Sequence, residues 1–214
     1  MTILQKSLSL GSFPFYWRTK EFGESGNCHG AMMLDFVITY DHDFGFLKQQ
    51  PSAELEDAIK SVYHFDHNIG YLQDGAEEFK TYGLEYLEVI SDSLSVLKNE
   101  SDLLKVVDVG CGGGLILNEI KKLYPNATFC GVDPSPLAER ASKKFDFSIV
   151  SDFYPPIDLK DRSAVNNADL ILNYDVIEHV PDPLNILENM YADLRDNGLL
   201  IFSVPDCSSA IENG

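Results

Sequence analysis

Four residues at alternate positions, Asp108, Gly110, Gly112 and Gly114, follow an apolar segment of the chain. Glycine has no Cβ, so a turn built from alternate glycines lets a ligand approach the main chain closely. A turn of this kind between a buried strand and a helix is typical of proteins that hold a nucleotide. The spacing therefore indicates nucleotide binding.

The elements on either side of the turn fit this interpretation. The preceding run LLKVVDV is apolar and short, as expected for a strand buried on both faces of a parallel sheet. The following segment LILNEIKKLYP predicts a helix that ends before Pro125, because its apolar residues recur at Leu115, Ile116, Ile120 and Leu123. Strand, turn and helix form the first half of a nucleotide-binding unit.

The spacing also separates classes of nucleotide. A phosphate-binding P-loop requires a Gly-Lys-Ser/Thr sequence, which does not follow here. A dinucleotide fingerprint requires a third glycine at the position of Leu115. A nicotinamide oxidoreductase is therefore the least favoured alternative, since it would have to bind its cofactor despite Leu115.

The segment DVGCGGG resembles motif I of the class I S-adenosylmethionine-dependent methyltransferases. Three later segments fit that family in order. ATFCGVD is a second strand ending in an acidic residue, FSIV is a third strand, and YDVIEHVPDP is similar to the motif after strand four in small-molecule methyltransferases, including quinone and sugar enzymes. The resemblance covers roughly Phe79 to Asp206 and implies an α/β, Rossmann-like fold.

The resemblance also implies a site for S-adenosylmethionine. An acidic side chain after the second strand can accept hydrogen bonds from both ribose hydroxyls, and open α/β sheets bind ligands at the carboxyl ends of their strands. The residues implied at the methionine end are Asp108, Gly110, Cys111, Gly112 and Gly114. Asp133 with Pro134 would lie at the ribose, and Asp152 and Phe153 at the adenine. Asn173 and Tyr174 would lie at the mouth near the sulfonium.

The function implied is methyl transfer to a small-molecule acceptor such as a sugar, a quinone or another natural product, by O- or C-methylation. The cofactor is a strong methyl donor, so the protein chiefly holds the acceptor in line. His179 is the candidate general base, because a histidine pKa lies near neutrality. The alternatives are a structural His179, and a methyltransferase-like fragment that acts as a non-catalytic interaction module.

Charge and hydropathy limit the partners. The 214 residues carry a net charge of −18, which disfavours binding to a phosphate backbone. No apolar run reaches the roughly 20 residues that span a bilayer, and the N-terminus lacks the layout of a secretory signal. We therefore expect a cytoplasmic protein with neither a nucleic-acid nor a membrane partner.

The first third of the chain predicts an accessory region, residues 1–75, before a cofactor-binding domain at 76–214. It contains two strand-like stretches, including MMLDFVITYD, and is similar to the accessory domain of some natural-product C-methyltransferases. The paired Cys-x-x-Cys zinc ligands of that domain are absent, so no metal is expected. The four cysteines have no paired spacing, and Cys111 and Cys130 are predicted to be structural.

Two further expectations concern the ends of the second domain. An apolar face recurs from Glu77 to Leu97 at Phe79, Tyr82, Tyr86, Ile90, Leu94 and Leu97, which predicts a helix, with Tyr82 as a candidate pocket residue. LLIFSVPD predicts a fifth strand, after which the two remaining strands of the family fold are missing. Because the edge of this strand is uncovered, we expect the sequence to be a fragment of a longer chain, or the sheet to be completed by a partner chain.

Overall fold

The computed structural model describes residues 7–15, 32–64, 86–95, 104–206 and 208. The chain forms two compact units, Met1–Asn68 and Ile69–Gly214. The described residues of the first unit form three strands and a helix, namely β1 (Ser7–Pro14), β2 (Met33–Asp41), β3 (Phe46–Gln49) and α1 (Ala53–His64).

The sheet of the first unit is antiparallel, with β2 between β1 and β3. The strand predicted in MMLDFVITYD is β2, whose Leu34 packs with Leu55 and Ala58 of α1 in a small apolar cluster. Glu54 and Glu56 lie in the first turn of α1, where negative side chains interact favourably with the helix dipole.

The second unit alternates strands and helices. A helix at residues 86–95, labelled α2, precedes the sheet. The remaining elements are β4 (Lys105–Val109), α3 (Leu115–Leu123), β5 (Thr128–Val132), α4 (Pro136–Phe145), β6 (Ser148–Val150), α5 (Leu159–Val165), β7 (Ala168–Tyr174), a 3-10 turn (Ile177–His179), α6 (Pro183–Asp193) and β8 (Leu194–Ser203).

The five strands that the structure describes in this unit are parallel, in the spatial order β6-β5-β4-β7-β8. The chain moves outward from β4 to β6 and then returns to the other side of β4 as β7. This reversal places a crevice between the carboxyl ends of β4 and β7, where doubly wound sheets bind their ligands. The predicted α/β class with a parallel sheet is confirmed.

Both faces of this sheet are buried, as the apolar composition of β4 predicts. Val106 packs on one face with Ile90, Leu94 and Leu117, and Val107 packs on the other face with Met190. Ile90 and Leu94 of the predicted helical face are 1% and 0% exposed. Three other residues of that face lie outside the described residues: Phe79, Tyr82 and Leu97.

Within the described residues, β8 pairs with β7 alone, so its second edge has no neighbouring strand. Phe202 on this strand and Val204 beyond it are exposed. The expectation that a partner chain or a further segment covers this edge stays a prediction. None of the described helices combines the length and apolar composition needed to cross a bilayer.

Candidate functional site

The glycine turn begins directly after β4. Gly110 has φ +81°, and a Cβ at this position would lie 2.3 Å from Cγ2 of Val176 in the segment that follows β7. Gly114 has φ +70° and caps the N-terminus of α3, and its Cβ would lie 2.7 Å from the Phe147 ring. Glycine is required at both positions by the backbone and by packing, so the turn brings the post-β7 segment close to the end of β4.

Asp133 ties the turn to the next helix. It follows β5, is 4% exposed, and accepts hydrogen bonds from the main-chain N–H groups of Gly112 at 2.9 Å and Ser135 at 2.8 Å, one on each carboxylate oxygen. Each oxygen keeps a further lone pair, since an ionised carboxylate offers about four acceptor positions. The predicted ribose ligand is therefore fixed in place with acceptor capacity remaining. Pro134 beside it is half-buried.

Asp108 is the penultimate residue of β4 and is 4% exposed. Burial, and then the nearby charge of Asp133, raise the pKa of the Asp108 carboxyl to about 7. Both causes disfavour the charged form, and a cation bound nearby would favour it. The strand thus presents a carboxyl group that changes its protonation close to neutral pH.

This pKa predicts how stability depends on pH. The unfolded Asp108 loses its proton near pH 4 and the folded one near pH 7, so its contribution to stability is lost as the pH rises through this window. We expect the unfolding free energy of Asp108→Asn, measured relative to that of the parent, to increase by about 2 to 3 kcal/mol as the pH rises from 5 to 8. Urea unfolding at several pH values measures this difference.

Asp196→Asn, at an exposed position, is the matched control for that experiment. Its difference from the parent should stay within about 0.5 kcal/mol across the same range. If Asp108→Asn shows no more pH dependence than the control, the Asp108 carboxyl does not titrate near neutrality.

Asn173 ends the buried part of β7 and is 0% exposed. Its Nδ2 donates to the main-chain oxygen of Val109 at 3.5 Å, while its Oδ1 is buried and accepts no hydrogen bond from the described residues. A buried acceptor left unpaired costs about 1 to 3 kcal/mol, so it marks a position where a ligand donor would be stabilising. The predicted mouth residue thus has an unfilled bonding position.

Tyr174 follows Asn173, and its ring lies 4.3 Å from that of Tyr86 on α2, centroid to centroid. Tyr86 was not among the site residues expected from the sequence, where Tyr82 was the candidate. Tyr82 lies outside the described residues. Both tyrosines belong to the same predicted helical face, so the pattern contained the signal but did not distinguish between them.

The predicted adenine residues follow β6, beside β5. Asp152 and Phe153 are half-buried, and the Phe153 N–H donates to Asp152 Oδ1 at 2.7 Å. The Asp133 N–H donates to the main-chain oxygen of Val150 at 3.1 Å, which joins the ends of the two strands. The structure therefore places the predicted ribose and adenine residues at the ends of adjacent strands.

Cys111 is 1% exposed, and its side chain packs against Gly131, where a Cβ would lie 2.4 Å from the cysteine Sγ. Burial raises the pKa of the Cys111 thiol well above its ordinary value, so the thiol is uncharged. Cys111 and Cys130 are both free and buried, as expected of structural cysteines. Cys111 thus supports the turn from the side of the sheet.

His179 ends the 3-10 turn after β7, and its side chain is 43% exposed. Its Nε2 lies 3.7 Å from Oε1 of Glu178, and the main-chain N–H of His179 donates to the main-chain oxygen of Val176. The structure places it on the loop beside the crevice and leaves the role of general base as a prediction.

Asp175 and Ser203 were missed by the sequence interpretation. Asp175 has φ +49°; its N–H donates to Ser203 Oγ at 3.2 Å, and that hydroxyl donates to Asp175 Oδ1 at 2.7 Å. The pair joins the carboxyl ends of β7 and β8. Nothing in the sequence links two residues so far apart. In the described ranges, no group of three or more His, Cys, Asp or Glu side chains has the arrangement of a metal site.

Comparison with known proteins gives three results. A family model described as a methyltransferase domain matches residues 75–213. The ubiquinone biosynthesis O-methyltransferase of Actinobacillus pleuropneumoniae serotype 7 (strain AP76) is 33% identical over 107 residues, which cover 46% of this chain and 44% of that protein. The enzyme of the same name from Pseudomonas savastanoi pv. phaseolicola (strain 1448A / Race 6) is 36% identical over 103 residues, 46% of this chain and 43% of that protein. The chain thus spans less than half the length of these relatives.

Among solved structures, the plantazolicin methyltransferase BpumL in complex with SAH aligns with 76% of this chain and 66% of its own, at 18% identity and a TM-score of 0.49. The N-methyltransferase NodS of Bradyrhizobium japonicum WM9 aligns with 46% of this chain and 51% of its own, at 20% identity and a TM-score of 0.39.

Proposed function

Because the chain belongs to the methyltransferase-domain family, we propose that it transfers the methyl group of S-adenosylmethionine to a small-molecule acceptor. The family match confirms the class predicted from DVGCGGG and the later motifs, and S-adenosylmethionine is the cofactor of that class. The observation that carries the proposal is the hydrogen bond from the Gly112 N–H of the glycine turn to the Asp133 carboxylate, beside the β4–β7 crevice where the strand order reverses.

The residues of the crevice fit this cofactor. Asp133 keeps acceptor positions for the ribose hydroxyls, and Asp152 with Phe153 would contact the adenine. Gly110, Cys111, Gly112 and Gly114 would admit the methionine end to the main chain, beside Asp108. The unpaired Oδ1 of Asn173 supports the assignment, because a buried acceptor without a donor is stabilised by a bound one.

The bound cofactor would supply an activated methyl group on its sulfonium, so the protein's task is positioning. Tyr174 and Tyr86 would flank the acceptor and exclude water at the end of β7. A hydroxyl or acidic carbon that receives a methyl group loses a proton, and His179 would accept it. The proton-acceptor role predicts that His179→Gln lowers turnover without changing cofactor affinity, whereas a structural His179 would affect stability instead.

The chemical class of the acceptor is chosen from the relatives and from the charge of the chain. The named relatives act in ubiquinone biosynthesis, which makes quinones the first acceptors to try, followed by sugars and other natural products. The net charge of −18 favours a small molecule over a nucleic acid. The cytoplasmic location expected from the sequence stays a prediction.

Incubation of the chain with S-adenosylmethionine labelled on the methyl group, together with each acceptor class in turn, tests the proposal. We expect labelled product and S-adenosylhomocysteine in equal amounts with at least one class. Cofactor binding without methyl transfer to any acceptor would contradict the catalytic proposal and support the non-catalytic interaction module.

A further inference from the structure

We propose that the methyl end of this site selects its ligand by charge: Asp175, held by Ser203 beside the rings of Tyr86 and Tyr174, favours the cationic sulfonium over the neutral thioether product. The inference rests on the proposed function and goes beyond it, because it assigns a specificity to residues that the cofactor motifs do not include.

The first support is the fixed position of the Asp175 carboxylate. A non-glycine residue with positive φ is strained, and Asp is among the residues that tolerate this conformation. Two hydrogen bonds to Ser203, at 3.2 and 2.7 Å, hold Asp175 in it. The carboxylate is therefore preorganised at the end of β7, directly after Tyr174.

The second support is the aromatic pair. The faces of Tyr86 and Tyr174 carry negative quadrupole charge, which attracts a cation within about 6 Å of a ring centre. The Tyr86 hydroxyl is buried and lies beside Ser203, the residue that holds Asp175. Burial, followed by the charges of Asp108 and Asp175, raises the Tyr86 pKa, so both carboxylates lie within electrostatic range of this phenol.

The third support is a set of acceptors at the carboxyl ends of β4 and β7. They are the carboxyl groups of Asp108 and Asp175 and the Oδ1 of Asn173, which is 0% exposed and accepts no hydrogen bond from the described residues. A cation near these acceptors is stabilised, and a neutral ligand of the same shape gains no such interaction.

Calorimetry of the full chain with three ligands of similar shape tests the proposal. S-adenosylmethionine is cationic at sulfur, sinefungin carries a protonated amine at the equivalent place, and S-adenosylhomocysteine is neutral there. We expect the two cationic ligands to bind about tenfold more tightly than the neutral one at 0.1 M salt. In Asp175→Asn the ratio of the affinity for the cationic ligands to the affinity for S-adenosylhomocysteine should fall close to one, with the affinity for S-adenosylhomocysteine unchanged.

Asp152→Asn is the matched control, since it removes a carboxylate at the adenine end; it should weaken all three ligands equally and preserve the ratio. Ser203→Ala removes the hydroxyl that holds the Asp175 side chain and should lower the affinity ratio part of the way to one. This variant serves as the test if Asp175→Asn does not fold. A ratio of one in the parent chain, or an unchanged ratio in both variants at the methyl end, would overturn the proposal. A folded parent that binds none of the three ligands would overturn the proposed function itself.

Discussion

Gly110→Ala is expected to lower the affinity for S-adenosylhomocysteine by at least about 100-fold and the unfolding free energy by about 2 to 4 kcal/mol. The added Cβ would lie 2.3 Å from Cγ2 of Val176, and the residue would keep φ +81°, which is strained for alanine. Because Val176 directly follows Asp175, relief of the clash would move the end of β7 away from the turn. Calorimetry and urea unfolding measure the two effects.

Two variants separate the causes of that loss. Gly11→Ala adds a Cβ at φ +98° with nothing within 4 Å, so it incurs the backbone strain without the clash and should leave binding unchanged. Val176→Ala combined with Gly110→Ala removes the clashing methyl groups and should recover part of the affinity. If Gly110→Ala binds as tightly as the parent, the close approach of the two segments is not needed for the cofactor.

Asp133→Ala should have the second largest effect. The substitution removes the carboxylate that accepts from Gly112 and Ser135 and that would accept from the ribose. We expect a loss of about 1.5 to 3 kcal/mol in cofactor binding, since hydrogen bonds to charged groups have this magnitude, together with a loss of about 1 to 3 kcal/mol in stability. Calorimetry with S-adenosylhomocysteine gives the first value and urea unfolding the second.

Asp158→Ala provides a matched control, because Asp158 also accepts from two main-chain N–H groups, those of Lys160 and Asp161, but as the N-cap of α5. It should cost about 1 kcal/mol of stability and leave binding unchanged. Equal binding losses in both variants would show that Asp133 acts through stability alone, and the ribose assignment would then be wrong.

The parts of the site that lie close together in sequence were predictable. Asp108 and the glycines that follow it belong to one strand-turn-helix unit, whose apolar pattern and turn residues are readable locally. The same holds for the strand of Asn173, since a continuous apolar run predicts burial on both faces. The resemblance supplied the order of these units, which local pattern alone does not determine.

The contacts between distant segments were not predictable. The hydrogen bond of Ser203 to Asp175 depends on the register of β8 beside β7, and the contact between the Tyr86 and Tyr174 rings depends on where α2 packs. The raised pKa of Asp108 likewise requires its burial and the neighbouring charge of Asp133, both of which result from tertiary packing. Sequence spacing has no information about these distances.

Isothermal titration of the chain with S-adenosylhomocysteine, with NADH as the control ligand, determines whether the crevice binds the cofactor of a methyltransferase. We expect one-to-one micromolar binding of S-adenosylhomocysteine and no binding of NADH, since Leu115 occupies the position of the dinucleotide glycine. A folded sample that binds NADH, or that binds neither ligand, would contradict the assignment of this crevice to S-adenosylmethionine.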